Sequence, residues 1–282
     1  MRSPRILLTL ASLAAVAASA LIPVSTSSAD TPHYYVSLGD SLSQGYQAGI
    51  GDTDQGYADL LYAKLKAKDP SLQLVKLGCS GETTTTMIDG GRCLDRYPVG
   101  TSQLDVATQF LAAHRGQVTQ LTLDIGANDV DGCLPGGTPD PVCLAKGAAS
   151  IKLNLNTILS RLDAAGARKA KRAGMTYYDP FLQAWLTGTT GKAVAVATIP
   201  LATAVNNAET FDYWHYGWRM ADVFSKFKTA QTYPFVNVPG FGSVPTNVAT
   251  ICSLTWMCSV QNIHPNPTGY GVIADTFYSK LA

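Results

Sequence analysis

Ser41 and His264 are the two residues of this chain whose types and settings best fit covalent chemistry. Ser41 lies in Val36-Ser37-Leu38-Gly39-Asp40-Ser41-Leu42-Ser43-Gln44-Gly45, where an apolar strand gives way to a small, turn-prone segment. His264 lies in Asn262-Ile263-His264-Pro265-Asn266, just ahead of a final amphipathic stretch. A serine hydroxyl is a weak nucleophile until a base takes its proton, and histidine is the commonest such base. The pair suits acyl transfer. Between them stand Gly81 and Asn128, two groups able to bind an oxyanion. Taken singly, each has a plainer reading. Gly39 to Leu42 is a turn after a strand, Gly81 serves a tight turn, Asn128 an Asx turn, and His264-Pro265-Asn266 a helix start. Taken together, and in this order, they point to one site.

The elements that must position these residues alternate in type. Tyr35 to Leu38 reads as a strand, Gln55 to Lys66 as a helix with Tyr57, Leu60, Leu61 and Leu65 on one face, and Leu72 to Leu77 as a second strand. Ser102 can cap a helix that carries Leu104, Ala107, Phe110 and Leu111. Gln120 to Ile125 reads as the third strand, and Ala148 to Ala165 as a helix ending at Gly166. Met175 to Tyr178 is expected as a fourth strand, Leu201 to Trp214 as a helix, Arg219 to Phe224 as a fifth strand, and Thr268 to Leu281 as the closing helix. Strands alternating with helices predict a mostly parallel sheet covered on both faces. Ligands of such folds bind outside the carboxyl ends of the strands. Ser41, Gly81 and Asn128 follow strands one, two and three, so all three are predicted at one sheet edge.

Bulk properties set the class. The chain has 282 residues and a formal net charge of +1, which argues against nucleic acid as a partner. The basic run Arg168-Lys169-Lys171-Arg172 reads as a solvated helix end. Arg2 and Arg5, the apolar stretch Ile6 to Val16, and small residues at Ala18-Ser19-Ala20 form an export-signal pattern. Cleavage after Ala20 or after Ala29 fits equally well. The expected organisation is a signal peptide over 1–29 and a single domain over 30–282, secreted and monomeric. Six cysteines fit an exported protein. Nearest-neighbour pairing is the cheapest proposal: Cys79–Cys93, Cys133–Cys143 and Cys252–Cys258. A zinc site is disfavoured, because no Cys-x-x-Cys pair occurs and the four histidines are scattered.

With these residues in place, the sequence resembles the GDSL-type, or SGNH, hydrolases over nearly the whole chain after the signal. The family's Gly-Asp-Ser-Leu block is matched by Gly39 to Leu42, its oxyanion glycine by Gly81, its Gly-x-Asn-Asp block by Gly126-Ala127-Asn128-Asp129, and its final histidine by His264. The chain looks closest to secreted actinobacterial-type esterases and lipases, which carry three short-range disulfides. The resemblance implies an α/β fold, a three-layer α/β/α sandwich with a flavodoxin-like parallel sheet. It also implies a serine carboxylic-ester hydrolase that needs no cofactor. Ser41 would be the nucleophile and His264 the base. The Ser41 and Gly81 main-chain N–H groups and the Asn128 amide would hold the oxyanion.

One position departs from the family. Three residues before His264 stands Gln261 where the triad acid is usual. A main-chain oxygen near Gln261 is therefore expected to support the imidazole, which would then titrate near its ordinary value of about 6.5. Asp40 is expected to be structural, and Asp129 to organise the Asn128 loop. Lipid or other fatty-acyl esters are the expected substrates. A phospholipase or a carbohydrate acetyl esterase on the same fold is the alternative, and an inactive secreted binding module is the non-enzyme rival. The aromatic run Phe211 to Trp218 is expected to be partly core, its second reading being transient contact with a lipid interface. Gly136-Gly137 and Gly240-Phe241-Gly242 are expected to rim the cleft.

Overall fold

The computed structural model describes residues 31–135 and 139–282. The segment read as an export signal and the Gly136-Gly137 loop lie outside the described residues. Five strands form a parallel sheet in the order β2-β1-β3-β4-β5: β1 (His33–Gly39), β2 (Leu72–Lys76), β3 (Val118–Asp124), β4 (Lys171–Met175) and β5 (Arg219–Ala221). This is the flavodoxin-like order. Its direction of growth reverses between β1 and β3, which opens a crevice at their carboxyl ends.

Strand alternation sorts the core into two layers. On one face Tyr35 of β1 joins Tyr57 and Leu61 of α1 (Tyr57–Lys66) and Ile273 and Phe277 of α10 (Pro267–Leu281). On the other face Val36 and Leu38 pack with Leu104 and Leu111 of α3 (Gln103–Ala113) and with Leu155, Ile158 and Leu162 of α5 (Pro141–Ala165). The result is a three-layer α/β/α sandwich. All of these side chains are buried. Each such aliphatic side chain is worth about 1.5–3 kcal/mol of transfer free energy.

The sequence reading and the structure part company where a run of apolar residues is not itself the element. The fourth strand is Lys171–Met175 and not Met175 to Tyr178. Tyr177 and Tyr178 have left the sheet and turn their hydroxyls toward the crevice. The basic run therefore straddles the strand start. Arg172 is not solvated: it pairs with buried Asp163 and donates to the Tyr216 carbonyl at 3.2 Å. Helix α5 begins at Pro141, seven residues earlier than its apolar periodicity shows, because Asp140 caps it by accepting from Val142 and Cys143 N–H at 2.9 and 3.1 Å. Helix α6 (Thr189–His215) begins twelve residues before the expected Leu201 and carries Pro200 within it. The fifth strand stops at Ala221, since Asp222 caps the short α7 (Val223–Lys226).

Elements without a sequence expectation are α2 (Thr84–Asp89), α4 (Ala127–Val130), the hairpin β6 (Phe235–Val238) and β7 (Gly242–Pro245), and α8 (Thr246–Leu254) with α9 (Met257–Val260). A 3-10 segment, Pro180–Thr187, packs on α6. The aromatic run divides: Tyr213 and Trp218 are buried in the core, while Phe211 and Trp214 are 62% and 73% exposed. The three disulfides join Cys79 to Cys93, Cys133 to Cys143 and Cys252 to Cys258.

Candidate active site

Strand β1 ends at Gly39, whose φ of +133° brings the backbone against Asp124 at the end of β3. A Cβ at Gly39 would stand 2.1 Å from the Asp124 carbonyl oxygen, so no larger residue fits. The next residues form a tight turn. Asp40 accepts from Leu42 N–H at 2.9 Å, the Ser43 hydroxyl donates to the Asp40 carbonyl at 2.7 Å, and Tyr46 N–H donates to the Ser41 carbonyl at 3.1 Å. Gln103 clamps the strand end from α3, accepting from Gly39 N–H at 2.7 Å and donating to the Gly39 carbonyl at 2.9 Å. Ser41 is thereby held at the crevice with its side chain 8% exposed as a residue.

Two buried aspartates lie beneath this turn. Asp124 contacts the Tyr57 hydroxyl and accepts from Ser43 N–H at 3.2 Å. Asp40 accepts from the Tyr177 hydroxyl at 2.8 Å. Burial and the adjacent Asp40 push the Asp124 carboxyl well above the usual carboxylate range. Asp40 thus ties the Ser41 turn together and makes no hydrogen bond to His264.

His264 reaches Ser41 from the far end of the chain. Its Nε2 lies 2.7 Å from Ser41 Oγ. The strand-like segment around it is tied down on several sides. Trp256 N–H donates to the His264 carbonyl at 3.0 Å, Asn266 N–H to the Leu254 carbonyl at 3.0 Å, and the Tyr178 hydroxyl to the Ile263 carbonyl at 2.6 Å. The Tyr46 ring packs against the imidazole with centroids 4.2 Å apart. The Cys252–Cys258 bridge links α8 to α9 just upstream.

The imidazole's second nitrogen meets neither a carboxylate nor a main-chain oxygen. His264 Nδ1 lies 2.9 Å from Asn262 Oδ1, which also accepts from His264 N–H at 3.1 Å. Two donors converging on one atom identify that atom as the amide oxygen. Asn262 therefore holds the proton on Nδ1 and leaves Nε2 free to accept from Ser41. This corrects the expectation of a backbone acceptor near Gln261. Gln261 ends α9 in a left-handed conformation, φ 54°, and contributes a change of chain direction instead. Where an ordinary imidazole was expected, burial lowers His264 to about 4, the Asp52 charge offsetting only part of the loss of water around the imidazolium.

Gly81 and Asn128 come to the same edge. Gly81 sits at φ +78°, and a Cβ there would meet the Arg92 guanidinium at 2.2 Å. Asn128 Nδ2 donates to the Glu82 carbonyl at 2.9 Å, which aims the amide across the crevice. Asp129 accepts from Thr84 N–H and Thr84 Oγ1 at 2.8 and 2.6 Å, joining the β3 loop to α2. Among the described residues, neither Ser41 N–H nor Gly81 N–H has a protein acceptor. The structure thus brings Ser41, Asn128 and His264 to one cleft, with Gly81 in the adjoining loop that precedes Glu82, the acceptor of the Asn128 amide.

Sequence reasoning missed the walls. The cleft beside Ser41 is mostly apolar, with Leu42, Val130, Leu134, Phe181, Leu201 and Ile263 among its lining. Asp131 and Asp179 also line it, and burial raises both carboxyls to about 6, Asp40 adding to the effect at Asp131. The Gly240–Gly242 turn belongs to the β6–β7 hairpin and does not line this cleft. Asn262 carried a signal that could have found it, being a polar side chain two residues from His264. The walls carried none, since they come from several elements far apart in the chain.

Comparisons with known proteins agree with this geometry. The GDSL-like lipase/acylhydrolase family matches residues 37–272. No curated protein matches the chain. Among solved structures, the extracellular lipase of Streptomyces rimosus is 19% identical, with a TM-score of 0.57, 88% of this chain covered and 99% of that one. Phospholipase A1 of Streptomyces albidoflavus is 17% identical, with a TM-score of 0.52 and coverages of 89% and 100%. The acetylxylan esterase Axe2 of Geobacillus stearothermophilus is 14% identical, with a TM-score of 0.54 and coverages of 89% and 94%. These structures share the fold, and the match over residues 37–272 assigns the chain to the GDSL-like lipase/acylhydrolase family, as a carboxylic ester hydrolase.

Proposed function

We propose that this hydrolase acts on esters with an apolar acyl group, through an acyl-enzyme on Ser41. The observation that carries the reading is the 2.7 Å contact of Ser41 Oγ with His264 Nε2 beside an aliphatic cleft. His264 takes the Ser41 proton as Oγ attacks the ester carbonyl carbon. The oxyanion is held by the N–H groups of Ser41 and Gly81 and by the Asn128 amide; losing one such donor costs on the order of 10²-fold or more. The tetrahedral intermediate collapses, the C–O bond to the alcohol breaks, and His264 gives its proton to the departing oxygen. Water then attacks the acyl-enzyme, with His264 again as base, releasing the carboxylic acid and restoring Ser41.

The apolar walls favour a fatty-acyl ester over an acetyl ester, because an acetyl group would leave most of the cleft empty of contacts. Phospholipids belong to the same acyl class and differ in head group. Export over residues 1–29 and a secreted domain over 30–282 are supported by three disulfides, which persist in oxidising compartments. The test is labelling with a fluorophosphonate, with the site located by peptide mapping, followed by hydrolysis rates across acyl length and head group. Label on Ser41 and a rate that rises from acetate to longer acyl esters are expected. An unlabelled Ser41 would make the inactive binding module the better reading.

A further inference from the structure

One buried acid stands beneath the Asn128 loop and has no part in the chemistry described so far. Glu209, on α6, is 0% exposed, and neither of its carboxyl oxygens has a hydrogen-bond partner among the described residues. It lies against Gly126, the residue that opens α4 and leads to Asn128. Gly126 holds φ +127°, and a Cβ there would stand 2.4 Å from Glu209 Oε1 and 3.6 Å from Ile151 Cδ1 of α5. The glycine makes room for the acid, and the acid fills the space under the chain that carries Asn128.

The charges around Glu209 are all of its own sign. They are Asp129 on α4, Asp40 in the Ser41 turn and Asp212 on α6 itself. The phenols of Tyr177 and Tyr213 also face it, but Tyr177 donates to Asp40 at 2.8 Å and Tyr213 to the Leu123 carbonyl at 3.5 Å. From α5 the neighbour is the apolar Ile151. A buried carboxylate with no donor and no cation is disfavoured, so the fold accepts the neutral acid. Burial first, and then the three aspartates, push the carboxyl well above its usual range. Asp129 ties the Asn128 loop to α2, and Asp40 ties the Ser41 turn. An anion at Glu209 would therefore repel both sides of the site at once. A leucine would fill the same space with no polar atom to satisfy; what the acid adds is a proton that can leave.

We propose that Glu209 is a positioning residue: its neutral form braces the Gly126–Asn128 loop, and loss of its proton displaces that loop and ends hydrolysis at alkaline pH. The brace acts through Asn128 and touches no reacting atom. The proposal rests on the ester-hydrolase reading given above.

The experiment measures kcat and KM for p-nitrophenyl butyrate from pH 6 to pH 10, corrected for spontaneous hydrolysis. The proteins are the unmodified enzyme, Glu209→Gln, Glu209→Ala, Asn128→Ala and the Glu209→Ala/Asn128→Ala double variant. In the unmodified enzyme kcat should fall along an alkaline limb. Glu209→Gln keeps the shape and has no proton to lose, so the limb should vanish while kcat at pH 7 stays within about threefold of the parent. Glu209→Ala removes the brace and should lower kcat roughly tenfold with KM within about twofold, the split expected when transition-state stabilisation alone is lost. With Asn128 already replaced, the same change should cost less than about twofold, because the group it positions is gone. A limb that persists in Glu209→Gln overturns the proposal, as does its absence from the parent. Equal losses from Glu209→Ala with and without Asn128 would show a general packing role and overturn it too. If Glu209→Ala does not fold, the limb in Glu209→Gln decides the matter. An unmodified enzyme that hydrolyses no ester at any pH would instead overturn the ester-hydrolase reading on which the brace stands.

Discussion

Asn262 is the residue on which the proposed Ser–His pair turns. An Asp at the usual place would add a charge that favours the imidazolium; Asn262 adds only an acceptor that sets the tautomer. Gln261→Ala should therefore change the hydrolysis rate by less than about threefold, since its side chain makes no contact with His264, whereas Asn262→Ala should lower it by about tenfold to a hundredfold. Equal losses in the two variants would return the supporting role to Gln261. Ser41→Ala and His264→Ala should each abolish hydrolysis without lowering the melting temperature; more than trace activity in Ser41→Ala would refute the nucleophile assignment. The pH profile tests the same arrangement. The proposed base is active when neutral, and burial holds its pKa to about 4. The acid limb of kcat/KM should then lie near that value, well below the ordinary histidine value of about 6.5. Asn262→Asp places a carboxylate beside Nδ1 and should move the limb upward. A limb near 6.5 in the unmodified enzyme would show that water reaches the imidazole.

At the scale of elements, the histidine loop is the part least secured by the sheet. Ser41, Gly81 and Asn128 follow strands directly, whereas His264 sits between α9 and α10 and depends on links to neighbours. The Cys252–Cys258 bridge closes one of these links over a sequence separation of 6. In the chain-entropy account a loop of this size stabilises by about 2 kcal/mol. The double variant Cys252→Ser/Cys258→Ser should melt about 4–8 °C lower. It should also lose more activity than a serine pair replacing Cys133 and Cys143, a bridge that joins the short turn after α4 to the start of α5. Differential scanning calorimetry together with rates on one ester checks both statements. Equal activity in the two double variants would mean that the Trp256–His264 and Asn266–Leu254 main-chain bonds suffice to hold the loop.

The whole molecule carries an unusual load of buried acid. Asp131 and Asp179 have folded values of about 6, above the unfolded value of about 3.9. For a group raised in this way the native state binds the proton more tightly. Its stabilisation is complete below the unfolded value and is lost as pH rises through about 6. His264 works in the opposite sense: depressed to about 4, it contributes stability above about 6.5 that is lost as pH falls. Two carboxyls outweigh one imidazole, and buried Asp124 and Glu209 are raised as well. The melting temperature should therefore be higher at pH 5 than at pH 8. Asp179→Asn keeps the cap to Phe181 N–H, now 2.9 Å long, and removes the titration. It should narrow the difference between the two pH values by about 3 °C. The same difference in variant and parent would show that Asp179 is hydrated in the folded state.

What the sequence by itself determined is the order of the proposed site: Ser41 in a turn after the first strand, Gly81 and Asn128 after the second and third, and His264 ahead of the last helix. These were legible because each lies within a few residues of an element whose period shows in the chain, and a parallel sheet brings consecutive strand ends to one edge. The short-range disulfides were legible for the same reason of locality. Tertiary structure decided the rest. Asn262 in place of Gln261 follows from the left-handed turn at Gln261, after which the Asn262 side chain meets the imidazole. The depressed histidine follows from burial, which no residue type encodes alone. The cleft walls come from Leu42, the loop after α4, the 3-10 segment and α6. Periodicity shows which face of a helix avoids water, but only packing decides which faces meet.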